Sequence, residues 1–377
     1  MIVYAGNQRL KAAKENGMKD IGIWIEDDVP KQLQDERMLK DNLHRGQWDF
    51  EKLVMFDASQ LLDAGFKPDE LNSVFNDILT ITDDEFDVEK AIKEIGTPQT
   101  KPGDIYVLGE HVLMCGDSTN QDDVKKLMDG SKAKVVYCDP PYNINYDYKK
   151  GASETKQNYT DTKVEDNRSE ADYQSFISKT LSNALAVSET DVHVFYWCDQ
   201  TFTDVIMASF RECGVKVRRM CLWIKNNFTP VPQTAFNKVY EPCIYGTIGK
   251  PELNKELTNL NEIMNQEIGS SNTLDDLQSY LQIWLNKRDF QNNYEHPTQK
   301  PTTLHEKPLK RCSSPGDIVI DLFGGSGSTL IACDQMKRKA RLMEQQPIFC
   351  DVIVKRWERL TGLIAGKIEY TTEDAAV

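Results

Sequence analysis

From residue 104 onward the chain alternates short, β-forming apolar runs with helical stretches, and few folds admit that rhythm. The runs fall at 105–108, 112–115, 135–138, 192–197, 318–322 and 340–343. They are almost continuously apolar, as strands covered on both faces are. Helical spacing separates most of them, at 173–186, 201–211 and 328–335. Strands that alternate with helices build βαβ units, which predicts an α/β fold with a mostly parallel sheet and helices on both faces.

The first hundred residues are organised differently. A strand at 2–5, a helix at 9–15 closed by Gly17 and a strand at 21–25 come first. Polar helical stretches follow at 31–43, 50–64, 68–79 and 88–95, with Gly65 and Gly96 as helix stops. Residues 96–103 are dense in Gly, Pro and Thr, as a linker or turn is. A small, mainly helical region at 1–98 and a larger domain at 103–365 are therefore expected. Within the larger domain, 246–295 breaks the strand and helix rhythm and carries helical spacing at Leu274, Leu277, Leu281 and Trp284. It reads as an insertion.

Two motifs stand at the ends of predicted strands. Asp321-Leu322-Phe323-Gly324-Gly325-Ser326-Gly327-Ser328-Thr329 follows one strand and opens a helix. In an open α/β sheet a nucleotide-like ligand binds at such a point, and glycines let the backbone approach it and turn tightly. A glycine-rich turn alone fits a structural turn or a dinucleotide site equally well. No Lys-Ser or Lys-Thr pair closes the loop, which disfavours a P-loop. Glu344, about twenty residues on, ends the next strand, where a carboxylate can accept hydrogen bonds from ribose hydroxyls.

The second motif, Asp139-Pro140-Pro141-Tyr142, ends the run 135–138. By average residue usage those four letters arise by chance in roughly one chain in a thousand of this length. The bland reading is a Pro-Pro turn with a buried tyrosine. The chemical reading starts from the exocyclic amine of a base, a poor nucleophile because its lone pair is conjugated into the ring. A site that activates it needs acceptors that favour a tetrahedral nitrogen. The Asp139 carboxylate and the Pro140 carbonyl, held by two rigid prolines, supply two acceptors. Tyr142 offers a face on which a flipped base stacks.

With His296-Pro297-Thr298-Gln299-Lys300-Pro301 and Pro315-Gly316-Asp317, these motifs resemble the β-group amino-methyltransferases of DNA over about residues 103–365. In that group the catalytic tetrapeptide precedes the glycine motif and the target-recognition region lies between them, the order seen here. The resemblance implies a Rossmann-like S-adenosylmethionine-dependent methyltransferase fold with circularly permuted motif order. It implies S-adenosylmethionine as methyl donor, no metal, and catalytic roles for Asp139, Pro140, Pro141 and Tyr142. Cofactor contacts are implied for Asp321, Phe323, Gly324, Gly325, Ser326, Gly327, Thr329 and Glu344. By position, Asp117 matches an acidic residue near the cofactor's adenine. Residues 296–301 match a segment over its methionine end, with Thr298 and Lys300 as polar contacts. Asp at the first tetrapeptide position goes with adenine N6 in this family and Ser with cytosine N4. N6-adenine is therefore the expected target; N4-cytosine methylation and a non-catalytic, DNA-binding partition-type adaptor are the alternatives.

The resemblance also makes 246–295 the recognition region, although it carries four basic residues against eight acidic. The loop 143–172, with Tyr146, Tyr148 and Tyr159, matches one that closes over DNA. The N-terminal segment is similar to the second half of a ParB-like domain, through Gly6-Asn7-Gln8-Arg9-Leu10-Lys11-Ala12-Ala13 and the strand at 21–25.

A formal net charge of −14 at first opposes a nucleic-acid partner. Residues 1–98 carry 21 acidic against 12 basic residues, however, so most of the excess lies outside the larger domain. Basic clusters occur at Lys216, Arg218, Arg219 and Lys225 and at Lys337, Arg338, Lys339 and Arg341. Double-stranded DNA is the expected partner, and homodimerisation is left open. Nine cysteines, an odd number without C-x-x-C spacing, read as reduced thiols. With no apolar run near the roughly 20 residues that span a bilayer and no signal-like start, a cytoplasmic location without membrane contact is expected.

Overall fold

In the computed structural model the described residues are 7–42, 48, 50–53, 56, 58–67, 70–71, 75, 79–144, 166–225, 238–255, 257, 260–265 and 300–368. The expected strand at 2–5, most of the helix at 68–79, and Tyr146, Tyr148, Tyr159 and Thr298 lie outside them. So does most of the expected recognition region. The chain divides into two compact units, residues 1–79 with 314–316, and residues 80–313 with 317–377.

The first unit carries helices at Asn7–Glu15, Lys31–Asn42, Phe50–Leu53 and Ala58–Ala64, with irregular backbone at 18–30. Leu39, Leu53, Leu61, Phe66, Leu71 and Phe75 form its core, and Trp48 meets Phe66 edge-on at 5.0 Å. The strand expected at 21–25 is absent: these residues pair with no strand among the described residues. Ile23 and Trp24 are 60% and 88% exposed. β-propensity acts through packing on a half-buried pleated surface, and here no such surface is offered.

Among the described residues the second unit is built on a nine-stranded sheet. Its strands are β1 (Ile105–Leu108), β2 (His111–Cys115), β3 (Ala133–Cys138), β4 (Ser188–Trp197), β5 (Lys216–Ile224), β6 (Tyr240–Ile248), β7 (Ile318–Asp321), β8 (Lys339–Glu344) and β9 (Gly366–Ile368). Their order is β5-β6-β4-β3-β7-β8-β2-β1-β9. The central five, β4-β3-β7-β8-β2, are mutually parallel. The edges are antiparallel: β6 returns beside β4 and pairs β5, while β1 pairs β2 and β9. Five of the six apolar runs became the parallel centre, because such strands need cover on both faces, while the run 105–108 became β1 at the antiparallel edge.

Side chains alternate across the sheet. Val136, Cys138, Ile320 and Met343 pack with the helices Gln121–Met128, Glu170–Ala186 and Thr203–Glu212. Tyr137, one residue off, meets His305 of the short turn Thr302–His305 edge-on at 5.2 Å, on the other face. Residues 80–98 belong to this unit. Their helix Val88–Ile95, capped by Asp87, lays Val88 and Ala91 against Val352 of the helix Pro347–Thr361. The Gly and Pro turn at 96–103 therefore lies inside the unit, with the backbone N–H of Gln99 donating to Asp351 at 2.7 Å. β6 runs three residues into the stretch that reads as an insertion. All nine cysteines are free. Among the described residues no helix is long and apolar enough to cross a membrane.

Candidate active site

Parallel strands deliver their carboxyl ends to one edge of a sheet, where loops diverge and leave a crevice. Asp139 follows β3, Asp321 ends β7 and Glu344 ends β8, three neighbouring strands. The two motifs, far apart in the chain, are thereby brought side by side. Gly116 extends the edge from β2, its N–H donating to the Glu344 carbonyl at 3.1 Å. The adjoining Asp117 is exposed, and its carboxylate accepts from the Thr119 N–H (2.8 Å) and hydroxyl (2.9 Å).

The glycine turn is shaped by both of its flanks. Gly327 has φ +83°, and a Cβ there would stand 3.0 Å from Ile353 Cγ1. Gly324 would place one 3.2 Å from Ile353 Cδ1, so both glycines let the turn press onto the helix Pro347–Thr361. Gly325, at φ +52°, would place a Cβ no nearer than 3.9 Å to its surroundings. Its N–H donates to Glu344 Oε2 at 2.8 Å, and the Gln346 N–H donates to Oε1 at 2.8 Å. Burial raises the Glu344 carboxyl to about 7 despite these donors. Burial likewise lifts Asp321 to about 8, although its carboxylate accepts from the Phe323 N–H at 3.0 Å and from Thr329. Arg356 supports the turn from behind, donating to the Ser326 carbonyl at 3.0 Å while it pairs with Asp84. Phe323 meets Phe176 edge-on at 5.9 Å.

A second cluster surrounds the tetrapeptide. Lys300 Nζ donates to Asp139 Oδ2 at 2.5 Å and to Tyr142 Oη at 2.6 Å. It lies 4.8 Å from the ring centre of Trp197 and 5.1 Å from that of Tyr142. Asp139 Oδ1 is buried and has no hydrogen-bond partner among the described residues. Tyr173 donates to the Pro141 carbonyl at 3.0 Å, which fixes the diproline turn against the helix Glu170–Ala186. Burial, then the neighbouring Asp139 and Glu241 charges, hold the Tyr142 phenol well above its ordinary value. His305 accepts or donates at Ser328 Oγ, 3.0 Å away. Its imidazole is pushed down to about 3 by burial and by the Lys300 and Arg356 charges, and is therefore neutral.

The expected site residues that are described thus gather on one sheet edge, Thr298 lying outside them, with a rearrangement. Lys300 reaches the Asp139 carboxylate and the Tyr142 hydroxyl, where a contact to the cofactor was expected. Its ammonium is the buried partner of the pair and takes the Asp139 carboxylate because an unpaired buried charge is costly. Missed in the sequence were Glu241, Trp197, Tyr173, His305 and Arg356. The available signal for Glu241 was one carboxylate among the apolar residues of β6.

The DNA methylase family profile, covering N6 and N4 amino-methyltransferases, matches residues 133–355. A 47-residue stretch is 45% identical to the Type II methyltransferase M.HpaI of Haemophilus parainfluenzae, covering 12% of this chain. The match spans only 15% of that relative's length. Among solved structures, the M1.HpyAVI-SAM complex is 19% identical with TM-score 0.42, covering 64% of this chain and 96% of that one. A putative DNA modification methylase from Thermus thermophilus is 16% identical with TM-score 0.44, covering 68% and 97%. The PvuII cytosine-N4-specific DNA methyltransferase is 15% identical with TM-score 0.46, covering 70% and 96%.

Proposed function

This chain belongs to the DNA methylase family, and from that membership we propose that it methylates an exocyclic amino group in double-stranded DNA with S-adenosylmethionine as donor, the target being adenine N6. One observation carries the proposal. Asp139 has one oxygen held by Lys300 and the other buried without a partner among the described residues. A buried acceptor left unmet costs about 1–3 kcal/mol, a deficit that an incoming N–H donor removes.

The residues fit the donor molecule. In the turn at 324–327 the half-buried Gly325 presents backbone with room beside it, a Cβ there meeting nothing nearer than 3.9 Å, and Glu344 places a buried carboxylate next to it for ribose hydroxyls. Asp117 stands on the same edge, suited to the adenine. S-adenosylmethionine supplies an activated methyl group when bound. The chain's own part is positioning. Asp139 Oδ1 and the Pro140 carbonyl accept the two amine N–H groups, turn the nitrogen lone pair out of conjugation, and aim it. Tyr142 stacks the flipped base. The neutral His305 behind the site leaves the local charge to Lys300 and the carboxylates. Adenine rests on the Asp at the first tetrapeptide position. For the first unit we propose a ParB-like segment, on the run Gly6 to Ala13.

Incubation of the protein with methyl-labelled S-adenosylmethionine and genomic DNA, followed by digestion to nucleosides, tests this. The label is expected in N6-methyladenine. Label in N4-methylcytosine would overturn the target assignment, and DNA binding without any transfer would replace the enzyme by a binding adaptor.

A further inference from the structure

Neither motif accounts for Glu241. It is the second residue of β6, only 7% exposed, in a strand otherwise apolar around it. Burial alone would raise its carboxyl, yet Lys300 and Lys225 outweigh burial and hold it below its ordinary value. Lys225 forms an ion pair with Oε1. On the other side, Oε2 lies 3.8 Å from Lys300 Nζ and 3.5 Å from the Tyr142 hydroxyl, which donates to it.

Lys300 is therefore an ammonium between two carboxylates. Asp139 takes it at Oδ2 and Glu241 faces it from across the Tyr142 hydroxyl. An ammonium with three donors and one carboxylate partner can centre itself on that carboxylate and engage both oxygens. A second carboxylate opposite prevents this, so Asp139 Oδ1 stays free for another donor. We infer that Glu241 is a positioning residue for methyl transfer: by holding Lys300 on one oxygen of Asp139, it reserves the other oxygen for the target amine. The inference rests on the function proposed above.

The test uses the full chain as wild type, E241Q, E241D, K300M and the double variant E241Q/K300M. Methyl transfer to DNA is measured in single turnover, S-adenosylmethionine affinity by calorimetry, and folding by thermal unfolding. E241Q is expected to slow transfer about tenfold to a hundredfold, the scale of a misplaced reacting group, with donor affinity unchanged. Because Glu241 acts through Lys300, the double variant should transfer as fast as K300M alone. A wild-type rate in E241Q, or its full effect persisting on top of K300M, would overturn the inference. If E241Q does not fold, E241D decides: it keeps the charge but retracts it, so a slower rate is expected and an unchanged rate counts against the role. A crystal structure of the folded Glu241 variant reads the geometry without activity. Lys300 on both Asp139 oxygens supports the inference, and Lys300 on Oδ2 alone overturns it. Wild-type protein that transfers no methyl group would overturn the proposed function instead, leaving that structure to decide the role of Glu241.

Discussion

Replacing Glu344 by Gln separates what this carboxylate does for the fold from what it does for the ligand. Its folded value of about 7 lies well above the ordinary 4.5, and burial is the cause. Between those two values the unfolded chain has released the proton and the folded chain has kept it. Stability therefore falls as pH rises, by about 1.4 kcal/mol per unit, or about 3 kcal/mol across the window. Gln cannot ionise, so E344Q is free of that loss. It carries another, since the carboxylate accepts from both Gly325 and Gln346, and an amide presents a donor to one of them. An unsatisfied buried N–H costs about 1–3 kcal/mol. E344Q should thus be less stable than wild type at pH 5 and equal or more stable at pH 8. Donor binding should go the other way. Losing an ionised acceptor for ribose hydroxyls costs about 1.5–3 kcal/mol, roughly tenfold to a hundredfold in affinity. Wild-type affinity should strengthen as pH rises through about 7, because the ligand favours the carboxylate; in E344Q this dependence should vanish. Urea unfolding and calorimetric titration with S-adenosylmethionine from pH 5 to 8.5 read both effects. A variant that keeps the wild-type pH dependence of binding would refute the reasoning.

Four further substitutions probe other parts of the site. G327A combines a left-handed φ of +83° with a Cβ 3.0 Å from Ile353; it should cost about 3 kcal/mol in chemical unfolding and weaken donor binding. D84N breaks the buried pair with Arg356 that backs Ser326; a loss of about 3–5 kcal/mol is expected in the same unfolding assay. Y142A removes the stacking face, worth about 1–3 kcal/mol per base, and should raise the DNA concentration at half-maximal rate. Y142F keeps the ring and should leave that concentration near wild type.

The parallel centre of the sheet was legible because strands covered on both faces are written as unbroken apolar runs. The glycine turn and the tetrapeptide were legible for a related reason: each directly follows such a run. The β5 and β6 hairpin was not. β5 is an edge strand whose Lys216, Arg218 and Arg219 face outward, so its charges masked the strand pattern. Residues 80–98 read with the first region because local composition does not reveal that Val88 and Ala91 pack on Val352. The placement of Lys300 was hidden for the same reason, since its partner Asp139 lies 161 residues away along the chain. At 21–25 the local pattern misled, because no partner strand stands beside those residues among the described ones.

The central claim is that the free oxygen of Asp139 receives the amine that is methylated. Labelled methyl transfer to duplex DNA by wild type and D139A, measured in parallel with S-adenosylmethionine affinity, tests it most directly. Wild type should label the DNA, while D139A should bind the donor as before and transfer at least about a hundredfold more slowly. A D139A variant that methylates DNA at the wild-type rate would contradict the claim.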